Sequence, residues 1–130
     1  MPQSERIAVV TGASAGIGLY TALGLAHAGL RLVMVGRDAR RTERARRLVA
    51  ERSGADRVEI LLADFASLAA VRDLADTILA AHPRIEVLVN NAGLISPRFE
   101  LSEDGCELSV AVNHLAAFLL TNLLLDRLRA

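Results

Sequence analysis

The 130-residue chain contains no lysine and no tryptophan, one cysteine (Cys106) and one tyrosine (Tyr20). Each scarcity excludes something. A single cysteine rules out an internal disulfide and fits a reducing compartment. The 15 basic residues, all arginine, balance 15 acidic ones to a formal charge of +0. No global field therefore points to nucleic acid or to an anionic membrane. Long apolar runs are scarce too: Leu115–Leu125 is eleven residues and is broken by Thr121 and Asn122, whereas a spanning helix takes about 20. The opening MPQSERIAVVTG has a short apolar run but no signal-peptide pattern. These features read as a cytoplasmic chain without a membrane span. What is present is greasy: 52% of residues are hydrophobic and mean hydropathy is +0.35. That content suggests strands covered on both faces, or surface meant for a partner.

Four apolar runs alternate with four helical patterns. The strands read as Arg6–Val10, Arg31–Val35, Arg57–Ala63 and Ile85–Asn90. Their cores, IAVV, LVMV, VEILLA and IEVLVNNA, are near-continuous rather than alternating, as in a covered parallel sheet. The first helix runs from Gly16 to Ala28 with Gly29 as its C-cap. The second follows Asp38, a good N-cap, and stops at Gly54. The third follows Ser67, shows Leu68, Val71, Leu74, Ala75, Ile78 and Leu79 at helical spacing, and ends at Pro83. After a loop, Leu94–Gly105, a fourth helix covers Cys106 to Leu128. This βαβαβαβα order predicts an α/β fold with a doubly wound parallel sheet and right-handed crossovers.

Between the first strand and first helix lies VVTGASAGIGLY, with Gly12, Gly16 and Gly18 in seven residues. A strand, a glycine-rich turn and a helix N-terminus form a setting in which backbone N–H groups receive a phosphate. Gly12 allows the tight turn, Gly16 lets backbone approach a pyrophosphate, and Gly18 lets the helix lie close to the sheet. The spacing is G-x-x-x-G-x-G, not the commoner G-x-G-x-x-G.

The octapeptide Thr11-Gly-Ala-Ser-Ala-Gly-Ile-Gly18 resembles the T-G-x-x-x-G-x-G signature of the short-chain dehydrogenase/reductase family. The resemblance continues through Asp64, Asn90-Asn-Ala-Gly93 and Asn113, and covers essentially the whole chain. The ending VNHLAAFLLTNLLLDRL is similar to the retinol-dehydrogenase-like branch, with Ala116 and Ala117 where that branch often has Gly-His. It implies a Rossmann-type sheet of strand order 3-2-1-4, present as a single NAD(P)-binding domain over residues 1–130 that is incomplete at its C-terminus. It also implies that Thr11, Gly12, Ser14, Ala15, Gly16, Ile17 and Gly18 hold the cofactor. Asp64 would touch its adenine, Phe65 would follow in the same loop, and Asn90, Ala92 and Gly93 would line the site, with Asn91 partly structural. Two readings of the residues themselves stay open: Asp64 as a helix cap, and Asn90-Asn91 as a plain turn.

A Rossmann unit reads the adenosine ribose about 20 residues past its glycines, where an acid favours NAD and an arginine suits a 2′-phosphate. Gly36-Arg37 stands there, which favours NADP(H). Asp38 beside it, and Ala15 where some NADP-binding relatives carry a second base, keep NAD open. Arg37 also reads as the start of a solvated helix rich in arginine. As a nucleic-acid patch that helix lacks aromatic residues for stacking and is diluted by Asp38, Glu43 and Glu51.

Hydride transfer to or from a carbonyl needs a proton donor and acceptor beside it. The resemblance implies a tyrosine activated by a lysine, a serine holding the substrate oxygen, and an asparagine anchoring a water. Asn113, 23 residues after Asn90, matches the asparagine. No lysine exists to activate a tyrosine, and Tyr20, in the first helix, reads as packing. In the family the Ser and Tyr-x-x-x-Lys lie on the next strand and helix, beyond Ala130. His27 and His82 read as charges near helix C-termini, and His114 points about 100° away from Asn113. No metal-ligand spacing occurs.

The chain thus reads as the cofactor-binding part of an oxidoreductase acting on an alcohol or carbonyl, with a weak hint of an apolar substrate. The alternatives are a nucleotide-binding protein without turnover, acting as a sensor or partner subunit, and a decayed product. A fourth strand left as an open edge, and a last helix showing Leu115, Phe118, Leu119, Leu120 and Leu123–Leu125, predict self-association.

Overall fold

A computed structural model describes residues 5–130; the first four residues of the stretch read as free of a signal-peptide pattern lie outside them. Four strands, β1 (Ile7–Thr11), β2 (Arg31–Gly36), β3 (Val58–Leu62) and β4 (Val87–Val89), form one parallel sheet in the order β3-β2-β1-β4. That is the expected 3-2-1-4 arrangement. Helices α1 (Gly16–His27), α2 (Ala39–Ser53) and α3 (Leu68–Ala81) are the crossovers. The last helix, α4 (Leu108–Arg129), is one rod of 22 residues.

Successive residues of a strand point to opposite faces. The two faces of β1 and β2 bury separate apolar sets. Ile7, Val9, Val33 and Val35 pack with Val71, Leu74 and Ile78 of α3 and Leu120 and Leu124 of α4. Ala8, Val10, Leu32 and Met34 pack with Ala22 and Ala26 of α1 and Ala45 and Val49 of α2. Two covered faces are why these runs carry no polar alternation. Each fully buried Val, Leu or Met here contributes about 1.5–3 kcal/mol.

The caps follow the sequence. Asp38 accepts from the Arg41 backbone N–H at 2.8 Å; that bond, aided by the Arg41 charge, holds its carboxyl below the usual carboxylate range. Ser67 Oγ accepts from Ala70 N–H at 3.1 Å. Gly54 is the C-cap of α2 with φ +69°, while the C-cap of α1 is Ala28, one residue before Gly29, whose φ is +86°; both φ values favour glycine. On the outer face of α2, Glu43 accepts from Arg46 at 2.7 and 2.8 Å and from Arg47 at 3.3 Å. The bonds to Arg46 are the main cause that lowers its pKa to about 2.

Several expectations need correction. β4 is shorter than Ile85–Asn90, because Ile85 N–H donates to Arg127 O of α4 at 3.0 Å and Asn91 N–H turns back to Val89 O at 3.1 Å. α4 starts two residues later than Cys106. Glu107 is its N-cap, accepting from Ser109 and Val110 N–H at 3.0 and 2.8 Å, which depresses its carboxyl pKa. Within α4, Ala111–Leu115 form a π-helical turn. Of the residues expected to show on this helix, Leu120 and Leu124 are fully buried, whereas Phe118 is 63% exposed. Tyr20 does not pack; it is 63% exposed. His82 is a buried C-cap whose Nε2 lies 2.8 Å from Glu59 Oε1. By length and composition α4 is apolar enough to cross a membrane, with a mean hydropathy of 1.8. The eleven-residue run understated it, because the helix starts earlier and also takes in Leu108, Val110, Ala111 and Val112. One side of it belongs to the core.

Candidate functional site

All four strands are parallel, so their carboxyl ends share one edge of the sheet, where open α/β folds bind ligands. A cleft of about 230 Å³ opens there. Gly12 and Ser14 from the turn after β1 line it, with Val35, Gly36 and Arg37 from the end of β2. Ala63, Asp64 and Phe65 follow β3, Ala92, Gly93 and Leu94 follow β4, and Val112 comes from α4. Of the expected residues, the cleft brings together Gly12, Ser14, Arg37, Asp64, Phe65, Ala92 and Gly93. Ala15, Gly16 and Ile17 stand outside it, exposed at the start of α1, with Ile17 79% exposed.

The glycine turn is held from beneath. Gly12 has φ +61°, and a Cβ on it would lie 2.9 Å from Ala92 Cα. A Cβ on Gly18 would run into the Gly12 carbonyl and the Asn91 side-chain amide. Gly18 therefore brings α1 against the turn and the Asn91 brace, rather than against the sheet at large. Asn91 Nδ2 donates to Thr11 O at 3.2 Å and Gly12 O at 3.1 Å, a structural role as expected.

Thr11 and Asn90 stand outside the lining. Thr11 is completely buried. Its hydroxyl accepts from Asn91 and Ala92 N–H, both at 3.0 Å, and donates to Val89 O at 3.3 Å. It fastens the loop after β4 to β1 and has no face toward the cleft. Asn90 is exposed, lies outside the lining, and donates to Thr121 Oγ1 at 2.9 Å.

Arg37 is exposed at the end of β2 and makes no ion pair among the described residues. Asp64 Oδ1 accepts from Ala66 N–H at 2.9 Å; one oxygen shapes the turn before α3 while the residue still lines the cleft. The helix-cap reading of Asp64 is a correction: the N-cap of α3 is Ser67, and Asp64 shapes only the turn before it. Phe65 is 7% exposed and joins the cleft to the α3–α4 core.

Asn113 sits in the π-helical turn. Its Oδ1 accepts from Leu94 N–H and its Nδ2 donates to Leu94 O, both at 2.7 Å. Its amide is thus paired with backbone like one rung of a sheet, and it fixes Leu94 at the cleft wall. The pairing uses one lone pair of Oδ1 and one N–H of Nδ2 and leaves the second of each free. His114 instead lies against Phe118, with ring centroids 6.1 Å apart.

The sequence reading placed Gly36 beside Arg37 at the ribose position but missed Val35, Ala63, Leu94 and Val112. Val35 and Ala63 are apolar positions at strand ends, for which the carboxyl-edge rule was the available signal. Leu94 and Val112 reach the cleft only through the turn of α4.

A family model described as short chain dehydrogenase matches residues 6–130. Polyprenol dehydrogenase of Mus musculus is 46% identical over 130 residues, covering 99% of this chain and 38% of that protein. Retinol dehydrogenase 13 of Homo sapiens is 41% identical over 122 residues, covering 94% and 37%. The chain therefore spans somewhat over a third of the length of these curated relatives. Among solved structures, L-sorbose reductase from Gluconobacter frateurii, complexed with NADPH and L-sorbose, superimposes with a TM-score of 0.83 at 31% identity. The match covers 97% of this chain and 48% of that one.

Proposed function

This chain belongs to the short-chain dehydrogenase family, and from that premise we propose that it forms the nicotinamide-dinucleotide-binding part of an oxidoreductase, NADP(H) being preferred. The cofactor, when bound, supplies or accepts the hydride that interconverts an alcohol and a carbonyl. The observation that carries the reading is the cleft itself, where the Gly12 turn and the Arg37 guanidinium, without an ion pair among the described residues, meet at the carboxyl edge of the sheet. The residues fit a dinucleotide. Gly12 and the N-terminus of α1 offer backbone to the pyrophosphate. Asp64 and Phe65 take the adenine end, and Ala92 and Gly93 line the opposite wall. Ser14, Ala15, Gly16 and Ile17 complete the turn.

Arg37 is the proposed partner of the 2′-phosphate, since a guanidinium can bind phosphate bidentately. The NADPH complex of L-sorbose reductase supports that choice. Calorimetric titration with NADPH and NADH tests it: tighter NADPH binding is expected, and equal affinities contradict it. With no lysine and with Tyr20 exposed on α1, these 130 residues contribute binding rather than proton transfer.

The substrate is proposed to be an apolar alcohol or carbonyl compound. The names of the polyprenol and retinol dehydrogenases support this. So do Ile95, Phe99 and Leu101, exposed by 94%, 79% and 61% on the segment that follows Gly93. Self-association is proposed through exposed Phe118 and the β4 edge, which pairs only with β1 among the described residues.

A further inference from the structure

One hydrogen bond ties together parts of the molecule that the family pattern treats separately. Asp104 Oδ2 accepts from the Leu68 backbone N–H at 3.0 Å, across 36 residues. Leu68 opens α3, and the turn feeding it is the one that carries Asp64 and Phe65 into the cleft. Asp104 belongs to the segment between β4 and α4, whose other end is the opposite wall, Ala92–Leu94. Asp104 itself is not part of the lining.

The segment that presents Asp104 is rigidly built. Ser102 N–H donates to Cys106 O at 2.7 Å and Leu108 N–H to Glu100 O at 2.8 Å, and Leu101 bridges Glu107 antiparallel. Its near end is fixed through the Asn113–Leu94 pair and by Ser96 N–H donating to Ser109 Oγ at 3.3 Å. Among the described residues, the Asp104–Leu68 bond is the only hydrogen bond between this segment and the α3 region. The N–H it satisfies is one of the donors a helix start leaves without an intrahelical partner. The local Ser67 cap takes a different one, Ala70 N–H.

We propose that Asp104 is a positioning residue that sets the Asp64–Phe65 wall of the cleft against the Ala92–Leu94 wall, so that cofactor affinity depends on a side chain that does not touch the cofactor. The proposal rests on the cofactor reading above. Phe65, Ala92 and Leu94 share one apolar cluster, but apolar packing is non-directional; without the bond the spacing of the two walls is less fixed and the ligand must restore it, which lowers its apparent affinity. The bond needs only an acceptor oxygen, so an amide at 104 can make it and a methyl cannot.

The test compares Asp104→Ala, Asp104→Asn and Ser67→Ala by calorimetric titration with NADPH and by amide hydrogen exchange without ligand. Loss of one hydrogen bond's worth of pre-organisation weakens NADPH binding by about five-fold in Asp104→Ala. Asp104→Asn is expected within about two-fold of the unaltered protein. Ser67→Ala removes a cap on the same helix without touching the bridge, and leaves affinity unchanged. Exchange at Leu68 and through residues 64–67 accelerates in Asp104→Ala and returns to normal in Asp104→Asn. Equal affinity in Asp104→Ala and the unaltered protein overturns the proposal, and so does a loss in Ser67→Ala as large as in Asp104→Ala, which would mark ordinary helix fraying. If the unaltered protein binds no NADPH, the cofactor reading fails and the proposal falls with it, whatever the exchange data show.

Discussion

Replacing Thr11 with valine keeps the shape and burial of the side chain and removes only the hydroxyl. That hydroxyl accepts from two backbone N–H groups, those of Asn91 and Ala92, and donates to Val89 O. The losses are unequal. Asn91 N–H also donates to Val89 O at 3.1 Å, so it keeps a partner, and Val89 O keeps a donor. Ala92 N–H has no other partner among the described residues. An orphaned buried donor costs about 1–3 kcal/mol, and Ala92 is only half-buried, which places Thr11→Val at about 1–2 kcal/mol. Thr11→Ser keeps the hydroxyl but gives up a buried methyl, also about 1 kcal/mol. Urea unfolding therefore lowers both variants by similar amounts and does not separate the mechanisms. Amide exchange does: Ala92 exchanges faster in Thr11→Val and at the normal rate in Thr11→Ser. Ala92 also lines the cleft, so NADPH affinity falls in the valine variant alone. Unchanged stability and unchanged Ala92 exchange in Thr11→Val would refute the assignment of Thr11 as the fastening of this loop.

Gly18→Ala drives a methyl into the Gly12 carbonyl and the Asn91 amide; overpacking of this kind costs about 1–3 kcal/mol, and loss of NADPH binding by calorimetry accompanies it because the turn must shift. Glu43 has its pKa lowered from 4.5 to about 2 in the fold, so its contribution is full above pH 4.5 and is lost as pH falls through about 2. Urea unfolding at several pH values is expected to fall less steeply for Glu43→Gln than for the unaltered protein across that window, and parallel curves contradict the pairing with Arg46. Phe118→Asp places a charge on the exposed side of α4 and shifts sedimentation toward monomer without changing the circular dichroism spectrum. No change in sedimentation would remove α4 from the association surface.

The sheet was legible because each buried strand is a short continuous apolar run, and because Asp38, Ser67, Gly29 and Gly54 punctuate the helices with the chemistry that caps require. The glycine turn was legible for the same reason: missing side chains at Gly12 and Gly18 correspond to backbone and amide groups that leave no room. What escaped is what long-range geometry decides. Thr11 belongs to the family signature, yet its hydroxyl faces a loop some 80 residues away, which local pattern does not reveal. The Asn113–Leu94 pair and the Asp104 bridge are likewise visible only once β4 and α4 are side by side. β4 was read too long because apolar character continues through Ile85 after its N–H has turned to α4. Tyr20 was read as packed from its position in α1, but the buried positions of that helix are Gly18, Ala22 and Ala26, and Tyr20 falls on the outer side.

The central claim is that the cleft holds a nicotinamide dinucleotide with Arg37 facing the ribose phosphate. Calorimetric titration of the unaltered protein and of Arg37→Ala with NADPH and NADH tests it most directly. The account predicts tighter NADPH than NADH binding in the unaltered protein. In Arg37→Ala that preference disappears, NADPH affinity falling by about ten-fold or more for the lost charge-assisted bonds while NADH affinity stays the same. Equal affinities in the unaltered protein, or a preference that survives the substitution, would contradict it.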